Sequence, residues 1–186
     1  MTWIFSNRKQ DVIFESPERK NKVEYVIANQ IGTPTVCIHR NILLQNKFNT
    51  ALRINEDVEL FARIVAQYQL IQIPFSTVDV LMHEENTRLL VSDPFTPQIK
   101  AMEIIFSNPL LGNKISDAFK KQRLRDLRHE LINHLYRQRE FSKMNKEIIH
   151  FLFLYPFDFQ NKSKIVLLLY HLPGGNILQN LIGKLK

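Results

Sequence analysis

The chain has almost no cysteine: Cys37 is the only one among 186 residues. A single thiol cannot form an internal disulfide, and it leaves too few thiolates for a structural zinc site. The chain is long enough to bury a sizeable core without such staples. This composition suits a reducing compartment, and the cytoplasm is the expected location.

Long apolar runs are missing as well. The longest, Ile148–Tyr155 and Ile165–Tyr170, are far shorter than the roughly 20 residues that span a bilayer. The first residues, Met1–Lys9, turn polar after Phe5 and lack the apolar core and cleavage site of a signal peptide. The sequence therefore predicts neither a transmembrane helix nor export.

Two segments resemble known functional motifs but lack a required residue. A zinc-protease helix needs histidines four positions apart, whereas His129 and His134 are five apart and position 133 is Asn. Gly174-Gly175 lacks the Gly, Lys and Ser or Thr that complete a phosphate-binding loop. The sequence thus predicts surface or interhelical histidines and an ordinary turn at these places.

Positive charge is abundant and concentrated in one segment. The net charge is +7, and Lys114–Lys146 contains ten Lys and Arg against four acidic residues, a local balance of +6. Such a segment favours an anionic partner: nucleic acid, a membrane surface or a phosphorylated substrate. The cluster Lys120–Arg125 keeps helical period and has no interleaved aromatic platform, so a solvated helical face ranks first, a membrane surface second and nucleic acid last.

The chain changes character near Ser92–Pro97, where two prolines and polar neighbours indicate a connection. Helices predicted at Lys22–Gln30 and Glu56–Gln67 alternate with β-prone runs before this point. Those runs are Trp3–Phe5 and Val12–Phe14, which together predict a hairpin, and Thr35–Ile38, Leu70–Ile73 and Val78–Met82. After Pro97 the pattern is helical throughout and includes one long basic helix, so we expect domains at 1–92 and 93–186.

Asp57 stands out in the predicted helix Glu56–Gln67. At about 100° per residue it falls within an apolar stripe, whereas Glu56 falls on the polar side. The stripe is Val58, Phe61, Ile64, Val65 and Tyr68, with Glu59, Arg63 and Gln67 opposite. A carboxylate on a core-facing stripe needs a hydrogen bond, an ion pair or a cleft. Spacing alone favours a structural role for Asp57 at the start of the helix, where Asn55 is the predicted N-cap.

The order of motifs around Asp57 supports a more specific interpretation. The segments concerned are Ile31–Arg40, Lys47–Asn49, Asn55–Ile64, Ile73-Pro74 and His83–Asn86. In order and spacing this set resembles the second half of family 2 glycosyltransferases of the GT-A type, in which a Glu-Asp helix reads roughly "EDxxLxxRl". The resemblance covers about Trp3–Leu90.

The resemblance implies an α/β fold: a partial GT-A-type mixed sheet with flanking helices over about 1–92, followed by an all-helical C-terminal region. It also implies an enzyme that performs inverting transfer from a nucleotide sugar to a saccharide or lipid-linked acceptor, in polysaccharide or lipooligosaccharide synthesis. Asp57 then corresponds to the catalytic base, and Glu56, Arg40 and His39 to substrate-binding positions. His83 corresponds to a residue near the metal, which in the family is Mn²⁺ or Mg²⁺.

One part of the family pattern is absent. The donor-binding half and its metal-binding Asp-x-Asp motif have no counterpart in this sequence. Three explanations stay open: a truncated or split reading frame, a separate polypeptide that supplies the donor half, or a fold that has lost transfer activity. A non-catalytic binding module and a basic helical nucleic-acid-binding protein are therefore the alternative functions, and contact with the inner face of the cell membrane is an added expectation.

Overall fold

The computed structural model describes residues 2–5, 8–11, 21–73, 78–81 and 92–156. Helices dominate these residues: α1 (Lys22–Asn29), α2 (Arg40–Gln45), α3 (Glu56–Val65), α4 (Phe95–Ser107), α5 (Pro109–Gly112), α6 (Asp117–Arg137) and α7 (Phe141–Leu154). The chain forms two compact units, Met1–Leu124 and Arg125–Lys186, and the division falls inside α6.

Short polar side chains set several helix starts. Asn21 accepts hydrogen bonds from the N–H groups of Val23 and Glu24, so α1 begins at Lys22. Asp93 does the same for Phe95 and Thr96 at the start of α4. These bonds satisfy N–H groups that have no partner within the helix.

The expected GT-A-type mixed sheet over 1–92 is wrong. Strand pairing in the described part of the chain is confined to three short strands, β1 (Thr2–Phe5), β2 (Arg8–Asp11) and β3 (Asp79–Leu81), in the order β2-β1-β3. β1 runs antiparallel to β2 and parallel to β3. This narrow ribbon is not the sheet with flanking helices that the resemblance implies.

Two of the expected strands do not form, and the physical reason is the same for both. Thr33–Thr35 forms a 3₁₀ turn with Pro34 near its start, and Val36 after it is extended without belonging to a strand. Leu70–Ile73 likewise has no strand assignment. β-Branched residues favour extended backbone, but a strand also needs a neighbour for its hydrogen bonds and side-chain pairs. The third run, Val78–Met82, does contain β3.

The core of the first unit forms around α3. α1 packs against α3, and α5 contacts it as well. The most deeply buried apolar residues of this unit are Val26, Ile27, Leu60, Ala62, Ala101, Met102, Ile105 and Leu111. Six of the ten residues of α3 are buried, and they lie all around the helix rather than on one stripe. α3 is therefore enclosed by its neighbours.

In the second unit, α6 and α7 are joined by a partly buried ion pair. Arg128 Nη1 donates to Glu147 Oε1 at 2.6 Å, and both side chains are less than one-fifth exposed. Leu131 and Ile132 of α6 and Met144, Ile148 and Phe151 of α7 are buried. α7 ends at Leu154, two residues before Pro156, and a proline cannot continue the hydrogen-bond pattern of a helix.

Tyr155 gives this unit an expected pH dependence. Burial raises the pKa of its phenol above the ordinary value of 10.0; the cations Arg128 and Arg125 lower it, and Asp126 raises it further. The folded state thus favours the neutral phenol, so this contribution to stability is complete below the unfolded pKa and is lost as pH rises through the folded pKa. Urea unfolding at about pH 9 and pH 11 should show a smaller loss of stability in Tyr155→Phe than in the parent chain. Equal losses in the two proteins would contradict this assignment.

Candidate functional site

Asp57 lies in the first turn of α3, and its side chain is half-buried. Its Oδ1 accepts the N–H of Val58 at 2.8 Å. Its Oδ2 accepts a long hydrogen bond, 3.4 Å, from the hydroxyl of Thr33. An ionised carboxylate offers about four acceptor positions, so these two bonds leave room for a further hydroxyl donor.

The turn that faces Asp57 is held by its own hydrogen bonds. Thr35 donates to the carbonyl of Gly32 through its N–H at 3.1 Å and through its hydroxyl at 2.8 Å. A Cβ placed on Gly32 would lie 3.7 Å from Asp57 Oδ2, an ordinary van der Waals distance. The carboxylate therefore sits directly against the Gly32–Thr35 turn.

Asn55 occupies the predicted N-cap position of α3 but does not cap with its side chain. Its backbone is left-handed, with φ 58° and ψ 22°. Its Nδ2 is buried and has no hydrogen-bond partner among the residues that the structure describes. A left-handed cap of this kind suits asparagine. The negative charge of Glu56 and Asp57 provides the favourable interaction with the helix dipole instead.

An open, mostly apolar groove of about 620 Å³ adjoins this turn. Pro34, Val36 and Ile38 line it from the segment after Thr33, and Phe61 and Ile64 line it from α3. Its volume lies within the range of ordinary small-molecule sites. Asp57 is not part of the lining, but Phe61 follows it by one helical turn.

The three residues predicted to bind substrate do not form one cluster with Asp57. His39 caps α2, because its Nδ1 accepts the N–H of Asn41 at 3.3 Å, and it also lines the groove. Arg40 is exposed at the start of α2, and Glu56 is half-buried at the start of α3. Within the described ranges no hydrogen bond or ion pair joins Asp57 to any of these three residues. Their role in binding substrate stays a prediction.

The residues described here do not fit the expected divalent metal. In the ranges that the structure covers, no group of three or more His, Cys, Asp or Glu side chains is placed to hold an ion. His83, the predicted residue near the metal, lies outside the described residues.

The sequence pattern missed a buried carboxylate on α3. Glu59, expected on the polar face of the helix, is 1% exposed. Its two oxygens accept from Arg63 Nε at 2.8 Å and Nη2 at 2.9 Å, and Oε1 also accepts from Asn108 Nδ2 at 3.1 Å. The spacing of Glu59 and Arg63, four residues apart, indicates an ion pair. This spacing does not predict that other helices bury the pair.

The chain matches no family model, no curated protein and no solved structure. Among the described helices none combines the length and the apolar character needed to cross a bilayer.

Proposed function

We propose that this chain is the acceptor-side part of an inverting glycosyltransferase that uses a nucleotide sugar, with Asp57 as its catalytic base. The observation that supports this most directly is the half-buried carboxylate of Asp57 at the start of α3, with unused acceptor positions beside the Gly32–Thr35 turn. The motif order from Ile31 to Asn86 supports the same chemistry. Because function resides in sites rather than in whole folds, the proposal does not require a GT-A sheet.

In the proposed reaction, an acceptor hydroxyl donates a hydrogen bond to Asp57 Oδ2. Its oxygen attacks the anomeric carbon of the donor and forms the new C–O bond. The bond from that carbon to the diphosphate breaks, the diphosphate leaves with the electron pair, and the hydroxyl proton passes to Asp57. The chain's contribution is orientation of the hydroxyl and base assistance, with Glu56, His39 and Arg40 as contacts to the substrates.

The donor half is provided in this proposal by a longer form of the chain or by a separate polypeptide. The acceptor is a saccharide or a lipid-linked saccharide. The basic stretch of α6 fits peripheral contact with an anionic membrane at its cytoplasmic face, since clustered Lys and Arg are attracted to such surfaces. Several of these cations, including Lys121, are exposed or half-buried on the helix.

The test measures release of nucleoside diphosphate from a panel of nucleotide sugars in the presence of Mn²⁺ and saccharide or lipid-linked acceptors. It uses the chain alone and the chain produced together with the polypeptide encoded directly upstream of it. We expect acceptor-dependent release when the donor half is present. If no donor gives acceptor-dependent release in either preparation, the proposal fails. Binding to nucleic acid that weakens steeply with salt would instead support the nucleic-acid-binding alternative.

A further inference from the structure

We propose that Glu59 and Arg63 are positioning residues that fix the rotation of α3 and thereby hold Asp57 against the Gly32–Thr35 turn. This inference rests on the proposed function, because positioning matters for transfer only if Asp57 is the base. Glu59 and Arg63 lie on a different face of α3 from Asp57, and neither residue is placed in contact with substrate.

The Glu59–Arg63 pair anchors α3 to two other parts of the chain. Arg63 Nη2 donates both to Glu59 Oε2 and to the backbone carbonyl of Lys47, the latter at 2.6 Å. Glu59 Oε1 accepts from Asn108 Nδ2. Asn108 in turn caps α5, because its Oδ1 accepts the N–H of Leu110 at 3.0 Å. The loop before α3 and the junction of α4 and α5 are thus both tied to one ion pair.

This anchor lies on the far side of α3 from Asp57. At 3.6 residues per turn, Glu59 and Arg63 stand about 200° and 240° around the helix axis from Asp57. α1 packs against α3, and the Gly32–Thr35 turn that contacts Asp57 follows α1 closely in the chain. A change in rotation that breaks the anchor therefore also moves the Asp57 carboxylate relative to Thr33.

The chemistry of the pair favours a role in geometry over one in bulk stability. A buried ion pair often stabilises a fold no better than well-packed apolar residues of similar size, because removing both charges from water is costly. The arginine fork is planar, and its donors have fixed directions. The bonds from Nε and Nη2 to Glu59 lie within α3 and hold the fork in place. The bonds to the Lys47 carbonyl and from Asn108 Nδ2 reach outside the helix and define one orientation of it, which an apolar contact would not do.

The decisive variant is the double substitution Glu59→Leu with Arg63→Met, which removes both charges and keeps apolar bulk. We expect it to fold, as judged by circular dichroism, while the NMR signals of the Thr33 amide and the Asp57 carboxyl carbon move. In the transfer assay we expect kcat to fall about 10²-fold, the size expected for a catalytic group displaced by about 1 Å. KM for the nucleotide sugar should stay unchanged, because the pair is not proposed to bind the donor.

Arg63→Lys provides a second test if the double variant does not fold. It keeps the positive charge but loses the fork, so both NMR signals should again move. Arg128→Lys is the matched control, since Arg128 forms a similarly buried pair with Glu147 in the other compact unit. It should lower stability without moving either signal.

The outcomes separate the two proposals. If both signals stay in place in a folded variant that lacks the Glu59–Arg63 fork, the positioning role is overturned, whatever the activity. If the signals move while the parent chain, supplied with a donor half, transfers no sugar, the proposed function fails and the geometric role stands.

Discussion

Replacing Asp57 by asparagine is expected to lower the rate of sugar transfer by about 10²- to 10⁴-fold, the usual contribution of a general base. Asparagine keeps nearly the same shape, and its amide oxygen can still accept the N–H of Val58. It cannot take up a proton at neutral pH. The rate is measured as acceptor-dependent release of nucleoside diphosphate, and donor affinity by calorimetry. Donor affinity should be almost unchanged, because the proposed role of Asp57 is to act on the acceptor.

A control for this substitution is available elsewhere on the chain. Asp117 also lies in the first turn of a helix, but its side chain is 98% exposed and pairs with Lys120 on the surface of α6. Asp117→Asn should leave the rate within about twofold of the parent, because Asp117 is not placed in contact with substrate and an exposed pair of this kind contributes little to stability. A transfer rate of Asp57→Asn that equals the rate of this control would remove Asp57 from the role of base.

Replacing Arg63 alone by methionine is expected to lower the free energy of unfolding by about 3–5 kcal/mol, because it leaves a buried carboxylate without its cation. Glu59 is 1% exposed and would retain only the hydrogen bond from Asn108. The carbonyl of Lys47 would also lose the donor that Arg63 provides. Urea unfolding followed by circular dichroism measures the change.

Replacing an exposed arginine by methionine is the control for this variant, because it removes a positive charge without breaking a buried ion pair. Arg53 is exposed, so Arg53→Met should change stability by less than about 0.5 kcal/mol. The double variant Glu59→Leu with Arg63→Met should recover most of the stability that Arg63→Met loses, because no buried charge then remains unpaired. A double variant no more stable than Arg63→Met would show that the energetic role assigned to the pair is wrong.

Sequence patterns predicted the helices well where local chemistry decides them. The prediction for Lys22–Gln30 agrees with α1 to one residue, and the start of α3 at Glu56 was also correct. Asn21 and the acidic residues in the first turn of α3 interact with backbone groups only a few residues away. Their effect on the start of a helix can therefore be predicted from the sequence. The long basic helix was likewise found as α6.

Patterns failed where the outcome depends on distant neighbours. The run Thr35–Ile38 has strong β propensity, but propensity cannot supply a partner strand. Helical periodicity assigned Glu59 to solvent because it resolves only one apolar face, whereas α3 is covered on several sides in this fold. The resemblance to family 2 glycosyltransferases implied a partial GT-A-type mixed sheet with flanking helices, which the described residues do not form. The resemblance also predicted Asp57 as the catalytic base. The contact between Asp57 and Thr33 could not be predicted from the spacing of residues in the sequence.

The single cysteine has a practical consequence for studying the groove. Cys37 is exposed and lies among the residues that line it, between Val36 and Ile38. Because no other thiol occurs in the chain, a maleimide-linked fluorophore attaches there without any prior mutagenesis. A label at this position reports on molecules that enter the groove beside Asp57, including ligands that leave the chemistry of the carboxylate untouched.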